Sequence, residues 1–311
     1  MNYLEVFIPA TRQNFEPRAY LLANPDVAAA KVDPLKHMVE NGKQEQRRLV
    51  NPELMPNSSY RKQKYKRFSE ILNLSGLATK AASFPLTLGR QHFSIDEYQS
   101  ESANHEFPAF AAEVISNPNK LYLDLGCGLR NRVHKNCLYL EVYPSLAADV
   151  IVEPTCLYPV KSKSLDGIGC FAVLEHTKQP WLVVTEIHRM LKPGGKAWID
   201  WPFLQPVHGY PSHYFNATRE GVESVFADAG FKIDASETGD HEGPDHTISW
   251  ILGHLVQALP AALQEKVQAM TVGDLLRQSP RNEFWNELMG SIDDRTRSQF
   301  ACGNNIVATK L

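Results

Sequence analysis

Three acidic residues stand at or near the ends of three successive short apolar runs: Asp124 within 121–125, Glu141 within 138–142 and Glu153 closing 149–153. The first run leads directly into Gly126-Cys127-Gly128. Two glycines in that position let the backbone approach a ligand closely and turn free amide groups toward an anion. Glu141, 17 positions after Asp124, is placed to accept from both ribose hydroxyls of a nucleoside. Farther along, His208, Tyr210 and His213 crowd one short stretch. Imidazole titrates near neutral pH, so His208 is the first candidate for removing a proton, with His213 and Tyr210 beside it. The chemistry implied is capture of a nucleoside-bearing ligand next to a group that can take a proton.

The elements that must position these residues alternate between strand and helix from residue 120 onward, the pattern of a doubly wound α/β domain. Strands are expected over 121–125, 138–142, 149–153, 167–172, 196–201, 231–233 and 305–309. Between the fourth and fifth, Trp181, Val184, Ile187 and Leu191 recur as one helical face that Pro193-Gly194-Gly195 stops. Thr218 caps another helix, which Gly230 ends. In an open parallel sheet the strand ends line the ligand crevice, so the three acids should converge there. A nicotinamide dinucleotide and S-adenosylmethionine are the two ligands to weigh. The dinucleotide fingerprint needs a third glycine at position 131, which is Asn131. Residues 129–136 are also too few for the long first helix whose dipole a pyrophosphate uses. The dinucleotide is disfavoured.

The ordered blocks LYLDLGCG, VIVEPTCLYP, SLDGIGCFAVLEHT, EIHRMLKPGG and WPFLQPVHGYP resemble the motifs of class I S-adenosylmethionine-dependent methyltransferases of the type 11 kind. The resemblance spans about 120–240, with 305–310 similar to the closing antiparallel strand. It implies a Rossmann-like seven-stranded sheet, mostly parallel with the last strand antiparallel, and S-adenosylmethionine as cofactor. It also implies roles. Gly126, Cys127 and Gly128 match the loop beside the cofactor's methionine part, and Asp124 the acid that fixes its amino end. Glu141 matches the ribose acid, Glu153 and Pro154 the adenine-side pair, and Phe171 and Ala172 the lining of the methionine part. Glu175 and His176 are expected to orient the loop after the fourth strand. Residues 202–218 resemble a block written PFLQPxHxxPxDYxRxT in bacterial glycan-associated methyltransferases. There the Asp is replaced by His213 and the Arg by Asn216, so a pair able to bridge by charge is lost. Methyl transfer to a hydroxyl or amine of a sugar, glycan or small metabolite is the expected activity. A non-catalytic binding or scaffold protein on the same fold is the alternative.

Upstream, Asn24-Pro25 and Asp33-Pro34 each place a capping side chain before a first-turn proline, and Gly42 follows where a helix should end. Residues 20–48 resemble a helical module, YLxxNPDVAxAGxDPLxHYxxxGxxEGR, that accompanies bacterial surface-glycan enzymes, departing at Lys31, Met38 and Gln46 where the pattern has Gly, Tyr and Gly. The expected organisation is a small helical module over 1–52, a helical connector or cover over 53–118, and the catalytic domain over 119–311 with a helical insert at about 245–300. Spans 129–136 and 144–148 are too short for full crossover helices, so helices of 53–118 are expected to cover the bare sheet face. The basic run 61–67 reads as a solvated helix face or, with Phe68, Ile71, Leu72 and Leu74 beside it, as a peripheral contact with anionic lipid. The insert could serve as a substrate lid or a homodimer contact.

The 311 residues are 22% charged with a net charge of −3, which excludes a nucleic-acid-binding polycation. The charge is uneven: residues 1–80 hold 13 Lys and Arg against 8 Asp and Glu, the remainder 19 against 27. No transmembrane span or secretion signal is expected. The five cysteines form no metal-spaced array, so reduced cytoplasmic thiols and no metal are expected.

Overall fold

The computed structural model describes residues 3–74, 82–88, 107–153, 157–209, 212–239 and 242–302. The chain opens with strands β1 (Tyr3–Glu5) and β2 (Phe7–Pro9), helices α1 (Pro17–Ala23), α2 (Pro25–Ala29) and α3 (Pro34–His37), and strand β3 (Arg48–Val50). Helix α4 (Ser59–Phe68), strand β4 (Leu86–Leu88) and helix α5 (Pro108–Ser116) follow. Next come strands β5 (Tyr122–Leu125), β6 (Arg132–His134), β7 (Cys137–Glu141), β8 (Val150–Val152) and β9 (Leu165–Phe171), helix α6 (Pro180–Met190) and the long strand β10 (Leu191–Asp200). Helix α7 (Arg219–Asp228) precedes five more: α8 (Pro244–Ala258), α9 (Ala261–Gln268), α10 (Val272–Leu276), α11 (Glu283–Gly290) and α12 (Asp294–Gln299).

Six strands form the central sheet in the order β10-β9-β5-β7-β8-β4, every neighbouring pair parallel. The fold is Rossmann-like, as expected. Its strand count among the described residues is six rather than seven. Residues 231–233 form no strand, because Phe231 N–H donates to Phe226 O (3.0 Å) and Gly230 N–H to Ala227 O (2.9 Å). Those bonds close the C-terminus of α7, and the Phe231 ring packs on Phe226 and His188. Strand β4, which reads as part of a helical connector in the sequence, instead extends the sheet beside β8. The expected strand 305–309 lies outside the described residues.

Alternate residues of each central strand go to opposite faces, as the two-residue period of a strand requires. Leu123, Leu125, Leu138, Leu140, Ile168 and Cys170 face one core, closed by Val184, Ile187 and Met190 of α6, Phe226 of α7 and Phe68 of α4. Tyr122, Cys137, Tyr139 and Ile151 face the other, which is continuous with Val6, Tyr20, Val27, Leu49 and Val50 of the first fifty residues and Phe110 and Val114 of α5. This second face is the one whose crossovers are short. β1 pairs antiparallel with β6, and Val6 N–H donates to Asn131 O (2.8 Å). The N-terminal segment thus docks where a long first helix would otherwise run. Asp33 caps α3 as its sequence signature predicts, accepting from Lys36 N–H (2.7 Å). Asn24 does not cap α2; buried, it donates to Tyr20 O (2.7 Å) and Arg48 O (2.8 Å), stitching α1 to β3.

The basic run on α4 is only partly solvated. Arg61 and Lys64 are buried, and both reach Asp149 in the β7–β8 crossover (2.7 and 2.6 Å). Asp149 also accepts from Tyr139 N–H (2.9 Å), while Arg61 donates to the carbonyls of Leu54, Leu146 and Ala148. Helical periodicity alone exposes such residues; a crossover with unpaired carbonyls and a buried carboxylate draws them in. Neither Arg61 nor Lys64 is left for a lipid surface. No helix among the described residues is long and apolar enough to cross a membrane.

Candidate functional site

The crevice opens at the C-terminal ends of β5, β7 and β9, where strand order reverses about β5. Gly126 leaves β5 with φ +71°, and a Cβ there would lie 2.3 Å from Val173 Cγ2. Only glycine fits that turn. Gly126 and Cys127 donate N–H to Leu140 O (2.9 and 3.0 Å), pulling the loop over the end of β7. There the buried Glu141 carboxylate accepts from Gly128 N–H and Val142 N–H (both 2.7 Å). Burial pushes its pKa above the ordinary carboxylate value, opposed by those two amides. Glu141 lines the crevice, and each of its oxygens has a second lone pair beyond the one used by an amide.

Gly126, Glu141, Glu153, Phe171 and Ala172 all line the crevice. Ala172 sits at φ +52°, a strained conformation for a residue with a Cβ, where β9 turns away from the sheet. Asp124 is buried near the end of β5, and its carboxylate is held by Arg130 through Nε (2.8 Å) and Nη2 (3.1 Å). Cys127 is fully buried and its thiol is pushed well above its ordinary pKa, so it supports the loop from beneath and is no nucleophile. Pro154 lies outside the described residues. Two groups that pattern reading does not single out complete this wall. Phe107 stacks on Phe171 with ring centroids 3.5 Å apart, and Phe110 meets Phe171 edge-on at 5.6 Å. Both belong to the entry of α5, and no motif marks them.

The facing wall comes from the loop after β10, tied down by the turn Leu174–His176. Glu175 O accepts from Tyr214 N–H (2.6 Å) and Phe215 N–H (3.2 Å), and His176 Nδ1–H donates to Ser212 O (2.8 Å). The orienting role expected of 175 and 176 thus falls to a backbone carbonyl and a ring N–H. His208 Nδ1–H donates to Pro206 O (2.8 Å), which leaves Nε2 with its lone pair free. His208 lines the crevice, and burial pushes its pKa down to about 4, so the ring is neutral near pH 7. His213 has both nitrogens engaged, with His208 N–H at Nδ1 (3.4 Å) and Asn216 Oδ1 at Nε2 (2.5 Å). The charge bridge missing from the sequence pattern is therefore replaced by a hydrogen bond between the same two positions. Gly209 takes φ +76° and lets the His176 ring sit where a Cβ would be, 2.4 Å from Cε1. Rings of His176, His208 and His213 lie 4.6–5.5 Å apart. Trp250 of α8 closes on His208 at 5.0 Å. Tyr210 lies outside the described residues.

The residues present fit S-adenosylmethionine: a buried carboxylate at a strand end, a glycine turn that has no room for a Cβ, and an aromatic wall. Residues 123–199 match the family model described as a methyltransferase domain. Among solved structures, a phosphoethanolamine N-methyltransferase 2 of Haemonchus contortus in complex with S-adenosyl-L-methionine is 18% identical. That match covers 58% of this chain and 46% of its own, with a TM-score of 0.32. An S-adenosylmethionine-dependent methyltransferase of Mesorhizobium loti is 15% identical, covering 48% and 90% with a TM-score of 0.33. The [4+2]-cyclase SpnF is 16% identical, covering 78% and 94% with a TM-score of 0.33. The chain spans less than half the length of the Haemonchus contortus structures it matches. No curated protein matches the sequence.

Proposed function

From the methyltransferase domain over residues 123–199, we propose that this chain moves a methyl group from S-adenosylmethionine to a hydroxyl or amine of a small molecule, with a sugar or glycan as the acceptor class. The observation that carries the reading is the Glu141 carboxylate bound to the Gly126–Gly128 loop at the mouth of the crevice. When bound, the cofactor supplies a methyl already activated on a sulfonium, so the chain's task is alignment and water exclusion. Glu141 accepts from the ribose hydroxyls, Glu153 stands on the adenine side, and Phe171 and Ala172 border the methionine part. His208 takes the acceptor's proton at Nε2. A base with a pKa of about 4 suffices, because an oxygen that has begun bonding to the methyl becomes far more acidic than the free hydroxyl. Asn216 fixes His213 behind it. The glycan preference rests on the resemblance of residues 202–218, and a cytoplasmic site of action accords with the reduced-thiol expectation.

Calorimetric titration tests the cofactor half. S-adenosylhomocysteine should bind at one site and NAD should not; a chain that binds neither is a non-catalytic fold. Glu141→Ala should weaken S-adenosylhomocysteine by roughly 10–150-fold, the cost of a lost hydrogen bond to a charged group. His208→Ala should leave that affinity nearly unchanged while lowering turnover about 10²–10⁴-fold. Unchanged turnover would remove His208 from the mechanism.

A further inference from the structure

One feature of the acceptor wall is left unused by methyl transfer. Glu175 is fully buried, yet beyond its own main-chain N–H neither oxygen of its carboxylate has a hydrogen-bond partner. A buried polar group without a partner costs on the order of 1–3 kcal/mol, more if charged. The loop contacts of Glu175 use its backbone oxygen, so they do not account for the acid side chain.

What lies around that carboxylate gives the reason. Glu175 Oε1 is 3.6 Å from His176 Nε2, too long for a hydrogen bond. Two donors bound tetrahedrally to one zinc ion at about 2.1 Å stand about 3.4 Å apart. One ligand atom each from Glu175, His176 and His208 all lie within 4.8 Å of one another, the one such group found among the described residues. Both histidines give their Nδ1–H to a backbone carbonyl, Ser212 O and Pro206 O, each at 2.8 Å. That second contact fixes the orientation of each ring and leaves Nε2 as the nitrogen with a lone pair, the arrangement metal-ligating histidines use. The two rings stand nearly perpendicular, at 89°. His176 and His208 line the crevice while Glu175 lies beneath, which would leave an ion's remaining position open to the crevice.

We propose that Glu175, His176 and His208 form a binding site for a divalent transition ion, with zinc the best match to two imidazole nitrogens and one carboxylate. This proposal departs from the expectation that the chain holds no metal. The consequence for activity rests on the methyl-transfer reading: His208 Nε2 has one lone pair, so an ion there withdraws the base from the acceptor.

Metal-free full-length chain titrated with Co²⁺ should take up one equivalent with the visible d–d absorption of a low-coordinate site, and Zn²⁺ should abolish the signal by displacement. His176→Ala and Glu175→Gln should each lose the signal while keeping their fold by circular dichroism. His176 is half-buried, so its variant stands as the test if the buried Gln is not tolerated. S-adenosylhomocysteine is titrated in parallel. Binding of S-adenosylhomocysteine without Co²⁺ uptake overturns the metal site and leaves the methyltransferase reading intact; the converse does the reverse. Co²⁺ uptake that persists in both variants assigns it to other histidines and overturns the proposal.

Discussion

The segments before and after the sheet are both mainly helical, yet they relate to it in opposite ways. Residues 3–74 share a core with the strands: Val6, Tyr20, Leu49 and Tyr60 pack with Tyr122, Tyr139 and Ile151. Helices α8–α12 keep a core of their own, built from Leu255, Leu259, Val267, Leu288 and Ile292. They meet the loop after β10 at particular points, such as Trp250 on His208 and Val207 N–H on Gln299 O (2.6 Å). The difference traces to the short crossovers β5–β7 and β7–β8. A parallel sheet needs both faces covered, and where the crossovers bring no helix, the N-terminal segment does the covering. The C-terminal helices cover no sheet face and are left to shape the site.

Deletions give the largest expected contrast. Removing residues 1–74 should yield insoluble chain, because a whole apolar sheet face is uncovered. Removing 244–299 should leave a folded sheet that binds S-adenosylhomocysteine but turns over poorly. Solubility, circular dichroism and calorimetry read both outcomes, and a soluble, cofactor-binding 1–74 deletion would break the comparison.

Next in size is Asp149→Asn. It leaves Arg61 and Lys64 buried without their carboxylate, at a cost of about 3–5 kcal/mol. Urea unfolding would measure it, and a loss below about 1 kcal/mol would mean that the crossover does not depend on this ion pair.

A pH effect follows on the same side. His134 on β6 is buried beside Tyr3, and burial followed by the charges of Lys64 and Arg132 lowers its pKa from 6.5 to about 4. The unfolded chain therefore binds the proton first. Stability from this group is complete above about pH 6.5 and falls as pH drops toward 4. Glu175 runs the other way, pushed up to about 8 by burial, so its contribution is lost as pH rises from about 4.5 toward 8. Comparison with His134→Phe isolates the histidine. Between pH 7.5 and 5 the wild type should lose about 2 kcal/mol more than the variant, or gain that much less. Parallel pH dependences would show His134 titrating normally.

The smallest effect concerns the helical module. Lys31 and Gln46 take φ of +53° and +52°, at the very positions where the resembled pattern has glycine. Lys31→Gly and Gln46→Gly should each stabilise by up to about 1 kcal/mol, relief of left-handed strain set against the entropy of glycine. A melting temperature that falls in both would refute the strain.

What the sequence alone determined is local. Periodicity placed five of the six central strands and α6, the proline and capping signals placed α3 and α7, and the glycine turn with its strand-end acids located the crevice. Each of these depends on residues within a turn or two of one another. Tertiary structure decided everything that needs a partner from afar. It put Arg61 and Lys64 inside, because the carboxylate that holds them is more than eighty residues away. It made β4 a sheet strand and left 231–233 out of the sheet, because pairing depends on which edge is free. It gave Asp124 to Arg130 and stacked Phe107 on Phe171. And it brought Glu175 and His176 of one loop within 4.8 Å of His208 in another, so that one possible ligand atom from each lies close to the other two.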